Sequence, residues 1–367
     1  MNTSLLQRQI AVSLLQGIGP IRARQLLSKL PDLDSLFSYT LKELEKTTGV
    51  SKKLLQNMRR EIAMGKAANE IAFIEKNNIS TYFLTDKDYP RRLKQCEDAP
   101  LILYGKGNMD LNPVKTVAIV GTRKATPYGV SVCEELIKSF VGQDILVVSG
   151  MAYGIDICVH QLCVKHKIPT IGVLGHGLDR LYPQSHLKTA QRMLDTGGLL
   201  TEFLPGTLPD RVNFPMRNRI VAGMCDTTIV VESKNKGGSL ITAELANDYS
   251  RDVFAVPGNI GQQFSEGCNQ LISQSKAHLF LSPEHFLKWM DWTQKKGAKA
   301  PQRQLFLDLN PDEQKMMDLL QNEGEQHMDA LAQKSNKAIS QTSVLLFQME
   351  MNGLVKALPG NKYAVLN

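Results

Sequence analysis

The stretch "VAIVGTRKATPYG" (117–129) sets an apolar, β-branched run directly before Gly121, Thr122 and Arg123. A strand that ends in a glycine is how a chain enters a phosphate-binding loop, because the missing side chain lets backbone N–H groups approach an anion. The dinucleotide pattern G-x-G-x-x-G is absent, and Arg123 stands where a second glycine would admit a pyrophosphate, which argues against a nicotinamide cofactor. A guanidinium at that place offers a charged, bidentate clamp instead. The same arrangement recurs along the chain. Gly150 follows "ILVVS", Gly175 and Gly177 follow "TIGVL", and Lys236, Gly237, Gly238 and Ser239 follow "TTIVVE" at the start of a helical pattern. Between the last two, "PDRVNFPMRNRI" supplies Arg211, Phe214, Arg217, Asn218 and Arg219. Arginines, N–H-rich turns and an aromatic face on which a base can stack are the parts of a site for single-stranded nucleic acid.

Catalytic constellations are missing: no nucleophile elbow, P-loop, paired carboxylates or Ser/His/Asp spacing occurs. Glu202 and Glu232 end strands and are expected to balance nearby arginines, as are Asp156 and Asp226. The expectation is a binding protein and not an enzyme. The seven histidines and six cysteines lack metal-ligand spacing, so neither metal nor cofactor is expected. Cysteines without C-x-x-C spacing, a start without a basic, cleavable leader and no run of 18 apolar residues together predict a cytoplasmic chain with reduced thiols. A formal charge of +7 and a pI near 9.0 favour an anionic partner, though only modestly.

Three folded segments are needed to position these residues. Residues 1–70 read as helices, and "LLQGIGPIRARQLLSKL" (14–30) has the apolar, G-x-G, helix order of a helix-hairpin-helix. "LEKTTGVSKKLLQNM" (44–58) repeats that design more loosely, so contact with DNA and simple packing both remain open for this SAM-like part. Residues 71–292 alternate strand and helix, with strands expected at 80–84, 101–105, 116–121, 145–149, 170–175, 198–202, 227–232 and 252–258. Near-continuous β-branched strands with helices between them imply a doubly wound, Rossmann-like α/β domain around a parallel sheet. Its ligands bind outside the carboxyl ends of the strands, where Gly121 to Arg123, Gly150, Gly175, Gly177 and Lys236 to Ser239 fall. Residues 293–304 ("TQKKGAKAPQRQ") read as a polar, basic linker. Residues 305–367 give three helical patterns and a hairpin around Pro359, Gly360 and Asn361, a winged helix. From 306 on it carries five lysines against eight Asp and Glu, a net of −3, which favours a protein-facing or structural role over groove reading.

The motifs "VAIVGTRKATPYG", "VVSGMAYGIDICVH", "GVLGHGLDRLYP", "FPMRNRIVAG", "GGSLITAELA" and "RDVFAVPGNI" run in order over 117–275, and together they resemble the DNA-processing protein A (DprA/Smf) family. The resemblance implies a protein that binds incoming single-stranded DNA during natural transformation, protects it and loads RecA recombinase on it without catalysing a reaction. It implies DNA-backbone contact at Gly121, Thr122 and Arg123, a basic contact at Arg211 and a base against Phe214. Gln184 stands where some members carry a basic residue, so that flank is expected to hold DNA less strongly. A homodimer is implied as well, through the late part of the Rossmann-like domain. Asn269, Ile272 and Leu279 in "GCNQLISQSKAHLF" (267–280) are the candidates for its interface, on the expectation of a helix at the domain edge. The same domain type occurs in lysine-decarboxylase-like nucleotide phosphoribohydrolases, whose P-G-G-x-G-T-x-x-E loop "PGNIGQQFSEG" (257–267) only partly matches: Gln262 replaces the threonine and Glu266 comes one residue late.

Overall fold

The computed structural model describes residues 3–293 and 309–366; the linker expected over 293–304 lies, from residue 294 on, outside the described residues. The chain opens with α1 (Thr3–Ser13), α2 (Pro20–Leu27), α3 (Ser35–Ser38), α4 (Leu41–Thr48), α5 (Lys52–Asn57) and α6 (Arg60–Lys76). Local chemistry sets their ends. Pro20 opens α2 where an N–H would be unsatisfied anyway, Thr40 and Glu43 cap α4 reciprocally, and Gly49, at φ 71, ends it in the left-handed region. The second hairpin turn spends its amides internally: Val50 N donates to Thr48 Oγ1 (3.3 Å) and Lys52 N to Glu45 Oε1 (3.0 Å). That is a physical reason why this copy does without the second glycine.

The central part is β1 (Ser80–Phe83), α7 (Arg91–Lys94), β2 (Ile102–Gly107), β3 (Lys115–Val120), α8 (Pro127–Ser139), β4 (Ile145–Ser149), α9 (Ile155–His166), β5 (Thr170–Val173), α10 (Leu187–Met193), β6 (Gly198–Thr201), α11 (Asn213–Gly223), β7 (Thr227–Val230), α12 (Gly238–Asp248), β8 (Asp252–Ala255), α13 (Glu266–Ser273), β9 (His278–Leu279) and α14 (Pro283–Trp289). The strands form one sheet in the order β1-β2-β6-β5-β4-β3-β7-β8-β9. From β6 to β9 it is parallel, and β2 and β1 extend it antiparallel. Alternation within strands feeds two cores. Val117, Ile119, Val147 and Ile229 pack with Ile137, Val159 and Phe286 on one face, and Ala118, Val120, Val148 and Val230 pack with Ile220, Val221 and Ala243 on the other. Both faces are covered, so the strands read as continuous apolar runs.

One expectation changes. The segment 267–280 is not a single helix: α13 ends at Ser273, and Leu279 lies in β9 at the edge of the sheet. A left-handed Ser275 (φ 55) separates the two elements.

The last segment is α15 (Pro311–Glu323), β10 (Gln326–His327), α16 (Met328–Ser335), α17 (Ile339–Met351), β11 (Val355–Leu358) and β12 (Lys362–Val365), a winged helix with its own core of Met316, Leu320, Leu331, Leu346, Met349 and Val355.

Candidate nucleic-acid interface

Strands β4, β5 and β6 are laid down on one side of β3 and β7 on the other, so the crossovers diverge between β3 and β7. The carboxyl ends of such a pair leave a crevice. Here it is a cleft of about 820 Å3, lined by Gly121, Thr122, Arg123, Gly150, Asp156, Tyr182, Arg211, Phe214, Arg217, Asn218, Lys234, Gly238 and Ser239.

The turn after β3 is held by backbone. Thr122 N donates to the Glu232 carbonyl (2.7 Å), and Ile155 N at the head of α9 donates to the Thr122 carbonyl (3.1 Å). A side chain at Gly121 would run into Ile155, so close packing against α9 requires the glycine. The turn therefore presents Arg123 to the cleft from a fixed base. Its guanidinium lies 5.6 Å from the Phe214 ring centroid, within cation–π range. Among the described residues Arg123, Arg211, Lys234 and Lys236 form no salt bridge with a carboxylate.

Arg217 has a different setting. It is buried, donates to the Val173 carbonyl, and faces Asp156 beneath Gly150, where any side chain would collide with both. Its Nε has no partner. Burial raises the Asp156 carboxyl to about 6 even though Arg217 pulls the other way. Arg217 thus charges the floor of the cleft, and Arg123 and Arg211 charge its rim.

Three buried histidines pin the loops. His160 Nε2 lies 2.6 Å from the Gly150 carbonyl, and burial holds its ring down to about 4, hence neutral. His186 Nδ1 reaches the Met151 carbonyl (2.9 Å), and His176 joins the Gly177 carbonyl (2.9 Å) to the Tyr182 amide (3.1 Å). His160 and His176 spend both ring nitrogens on such contacts.

Beside Arg123 a small aromatic pocket opens between Tyr153, Tyr182 and Phe214. The Tyr182 and Phe214 centroids are 6.1 Å apart, and Gly175 makes room for the Phe214 ring, which would lie 2.9 Å from a Cβ there. Both tyrosines are half exposed. Across the cleft α12 begins at Gly238 with no side-chain hydrogen bond capping it, and Gly238 and Ser239 line the cleft. Ser239 instead donates to Ser233 Oγ (2.9 Å), and Asn218 reaches the Gly238 carbonyl (3.4 Å).

Not every expected residue joins this group. Arg219 turns away from the cleft: it pairs with Glu202 and donates to the Asp98 carbonyl (2.7 Å), bracing α11 against the sheet. Gly177 packs against Leu204 and Asp179, outside the cleft, and Lys234 lines it where Lys236 does not. Asp226 pairs with Arg92 and Lys362 at the opposite end of the sheet. Glu232 balances no arginine; it accepts from the Thr126 amide (3.0 Å) and hydroxyl at the start of α8. Glu266, at the start of α13, lies outside the cleft. Tyr153, Tyr182 and Lys234 escaped the sequence reading, although "MAYG" and "RLYP" place both tyrosines just past strand ends. Among the described residues no group of three or more His, Cys, Asp or Glu is placed to hold a metal, and no helix is long and apolar enough to cross a membrane.

Comparison with known proteins gives this geometry a lineage. Residues 80–291 match the family described as DNA recombination-mediator protein A, 298–361 the DprA winged helix domain, and 11–63 the SAM-like helix-hairpin-helix tandem. Protein Smf of Synechocystis is 30% identical over 96% of this chain and 97% of its own length, and DNA processing protein DprA of Bacillus subtilis is 38% identical over 60% and 75%. The crystal structure of DprA from Streptococcus pneumoniae superposes with a TM-score of 0.64 at 30% identity, covering 78% of this chain and 97% of that one. A DNA processing protein A from Helicobacter pylori, described for its single-stranded DNA binding mode, gives 0.53 at 28%, covering 57% and 94%. With the family's own domain spanning more than half of its residues and its winged helix following, the chain belongs to the DNA recombination-mediator protein A (DprA) family.

Proposed function

We propose that the cleft binds single-stranded DNA in a sequence-indifferent way and performs no chemistry on it. The observation that carries this reading is the pairing state of the cleft's cations: Arg123 and Arg211 stand without carboxylate partners around an aromatic pocket and an uncapped helix start. Phosphates would meet Arg123, Arg211, Lys234 and the first amides of α12, with Gly121 and Thr122 supplying backbone, while a base stacks among Phe214, Tyr182 and Tyr153. Gly150 and Gly175 act as spacers, Arg217 as the charged floor, and Lys236, Asn218 and Ser239 flank the α12 start. The H. pylori relative's described binding mode supports the same ligand here.

Family membership extends the reading to a DNA-processing role in natural transformation, with RecA as the protein that receives the bound strand. A homodimer fits through the β9 edge, where Leu279, Leu281 and Trp289 are exposed. Ile272 is half buried against its own core and Asn269 is taken up by the Gly258 backbone (3.2 and 2.9 Å), so Leu279 is the anchor. Light scattering should give a dimer for the wild type and a monomer for Leu279→Arg; a wild-type monomer at micromolar concentration removes this part.

The cleft reading is tested by oligo-dT binding across a salt series. Several phosphates neutralised together predict a steep fall of affinity with salt. A flat dependence, or equal affinity for blunt duplex, would overturn it.

A further inference from the structure

The winged helix meets the Rossmann-like body through its wing, the hairpin of β11 and β12, and at the start of α16, where Asp329 lines a groove with Arg251. The contacts that join them are polar, and the apolar core of each part stays its own. Lys362 pairs with Asp226, Lys356 Nζ lies 3.3 Å from Asp291 Oδ2, and the Gly360 amide donates to Asp252. Gly360 has φ 79, and a Cβ there would lie 3.2 Å from the Asp226 carbonyl, so the turn is shaped to this seat.

Lys356 and Lys362 are the only cations between Val355 and Val365. Two ammonium groups on one hairpin, once it leaves its seat, suit successive phosphates of a nucleic-acid backbone. In this structure each rests on a carboxylate of the body. We propose that the wing is a second nucleic-acid contact, held masked by Asp226 and Asp291, which occupy the places of phosphates. The long helix α17 carries no cation and one glutamate, and Lys315, Lys334 and Lys337 are engaged by the Ser335 carbonyl, Glu323 and Asp312 within the winged helix itself, so the wing supplies the lysines that rest on the body.

The seat is built to let go. Asp226 keeps Arg92 (Nε at 2.8 Å) and the Thr116 amide (2.9 Å) when Lys362 leaves, so no buried carboxylate is stranded. Lys362 regains water on release, and its burial is what holds its ammonium below the ordinary lysine range. Polar seams of this kind between domains are the reversible sort. Asp226 precedes β7 and Asp252 opens β8, so the seat lies at the amino ends of the strands, opposite the cleft. The inference is therefore independent of what the cleft binds.

Asp291 is half exposed, so Asp291→Asn should leave the fold intact. The test uses the full chain carrying Arg123→Ala to weaken the cleft, with a duplex oligonucleotide as probe. Asp291→Asn should bind the duplex about three- to fivefold more tightly, the weight of one exposed ion pair. Adding Lys356→Ala to it should return the affinity to that of the parent. Glu284→Gln, which removes the same charge from α14 without freeing a lysine, should change nothing. Equal affinities for Asp291→Asn and Glu284→Gln, or no loss on adding Lys356→Ala, overturn the masking. Small-angle scattering of the free protein should also show expansion in Asp291→Asn, and in the parent as salt rises from about 50 to about 300 mM and screens the exposed Lys356–Asp291 pair; a profile unchanged by salt and by Asp291→Asn counts against release.

Discussion

At the carboxyl ends of the central strands Arg123, Arg211 and Lys234 line an open cleft without carboxylate partners, whereas at the amino ends Arg92 and Lys362 converge on the buried Asp226. Both ends are basic by residue type. At the amino end the opposite charge is supplied by the fold, and Asp226 is held far below the ordinary carboxylate range by Arg92 and Lys362 despite its burial. At the carboxyl end the charge is left unmatched, which is the state that attracts a polyanion. Pairing, more than the number of arginines, separates the open cleft from the brace. Helix α11 shows both within one turn and a half: Phe214 and Arg217 face the cleft, and Arg219 is locked on Glu202.

The largest expected effect tests that division on two arginines. Arg219→Ala strands the buried Glu202 carboxylate and should cost about 3–5 kcal/mol of stability, read by denaturant unfolding, with oligo-dT affinity of the folded protein unchanged. Arg123→Ala should do the reverse, with stability nearly untouched and binding weaker by about 1.5–3 kcal/mol. The contrast breaks if Arg219→Ala folds normally and binds weakly.

Next in size is the aromatic pocket. Phe214→Ala and Tyr182→Ala should each weaken oligo-dT binding by about 1–3 kcal/mol if a base stacks there, and an abasic oligonucleotide should be insensitive to both. Equal losses on the abasic strand would mean that the rings only shape the phosphate path.

The smallest effect is a pH dependence. Asp156 has a carboxyl raised from 3.8 to about 6, so on going from pH 7 to 5 it takes up a proton and loses its charge in the cleft. Removing a negative charge beside Arg217 strengthens the field on a phosphate, so affinity should rise as pH falls through 6, by a few-fold. Asp156→Asn should bind at pH 7 as the wild type does at pH 5 and be flat between them. A wild-type affinity that falls over this window speaks against Asp156 facing the DNA.

Much of this was legible in the residues. Short, β-branched apolar runs such as "VAIV" and "ILVV", each ending near a glycine, read as strands covered on both faces, and a parallel sheet then puts the ligand crevice at the loops past their carboxyl ends. Gly121, Arg123, Gly150, Phe214 and Gly238 line the cleft as that rule expects. The rule failed where two segments distant in the chain meet. Arg217 and Arg219 are two residues apart and identical in type, and only packing of α11 against Glu202 on one side and Asp156 on the other assigns them different tasks. The pairing of Arg92, Asp226 and Lys362 spans three regions of the chain, beyond the reach of any periodicity. The break between α13 and β9 was also hidden, because a short edge strand and an amphipathic helix share the same apolar spacing over so few residues.

The sequence by itself determined the order of strands and helices, the glycines at the strand ends and the surplus of arginine near them, because backbone sterics and hydrophobic alternation act between near neighbours. Tertiary structure decided which of those arginines stay unpaired, where Tyr153 and Tyr182 join Phe214, and that the wing's lysines rest on carboxylates of the body. Those outcomes depend on which charges and rings the folded sheet brings within a few ångströms, where burial turns a neighbouring carboxylate into a lock and its absence into a site.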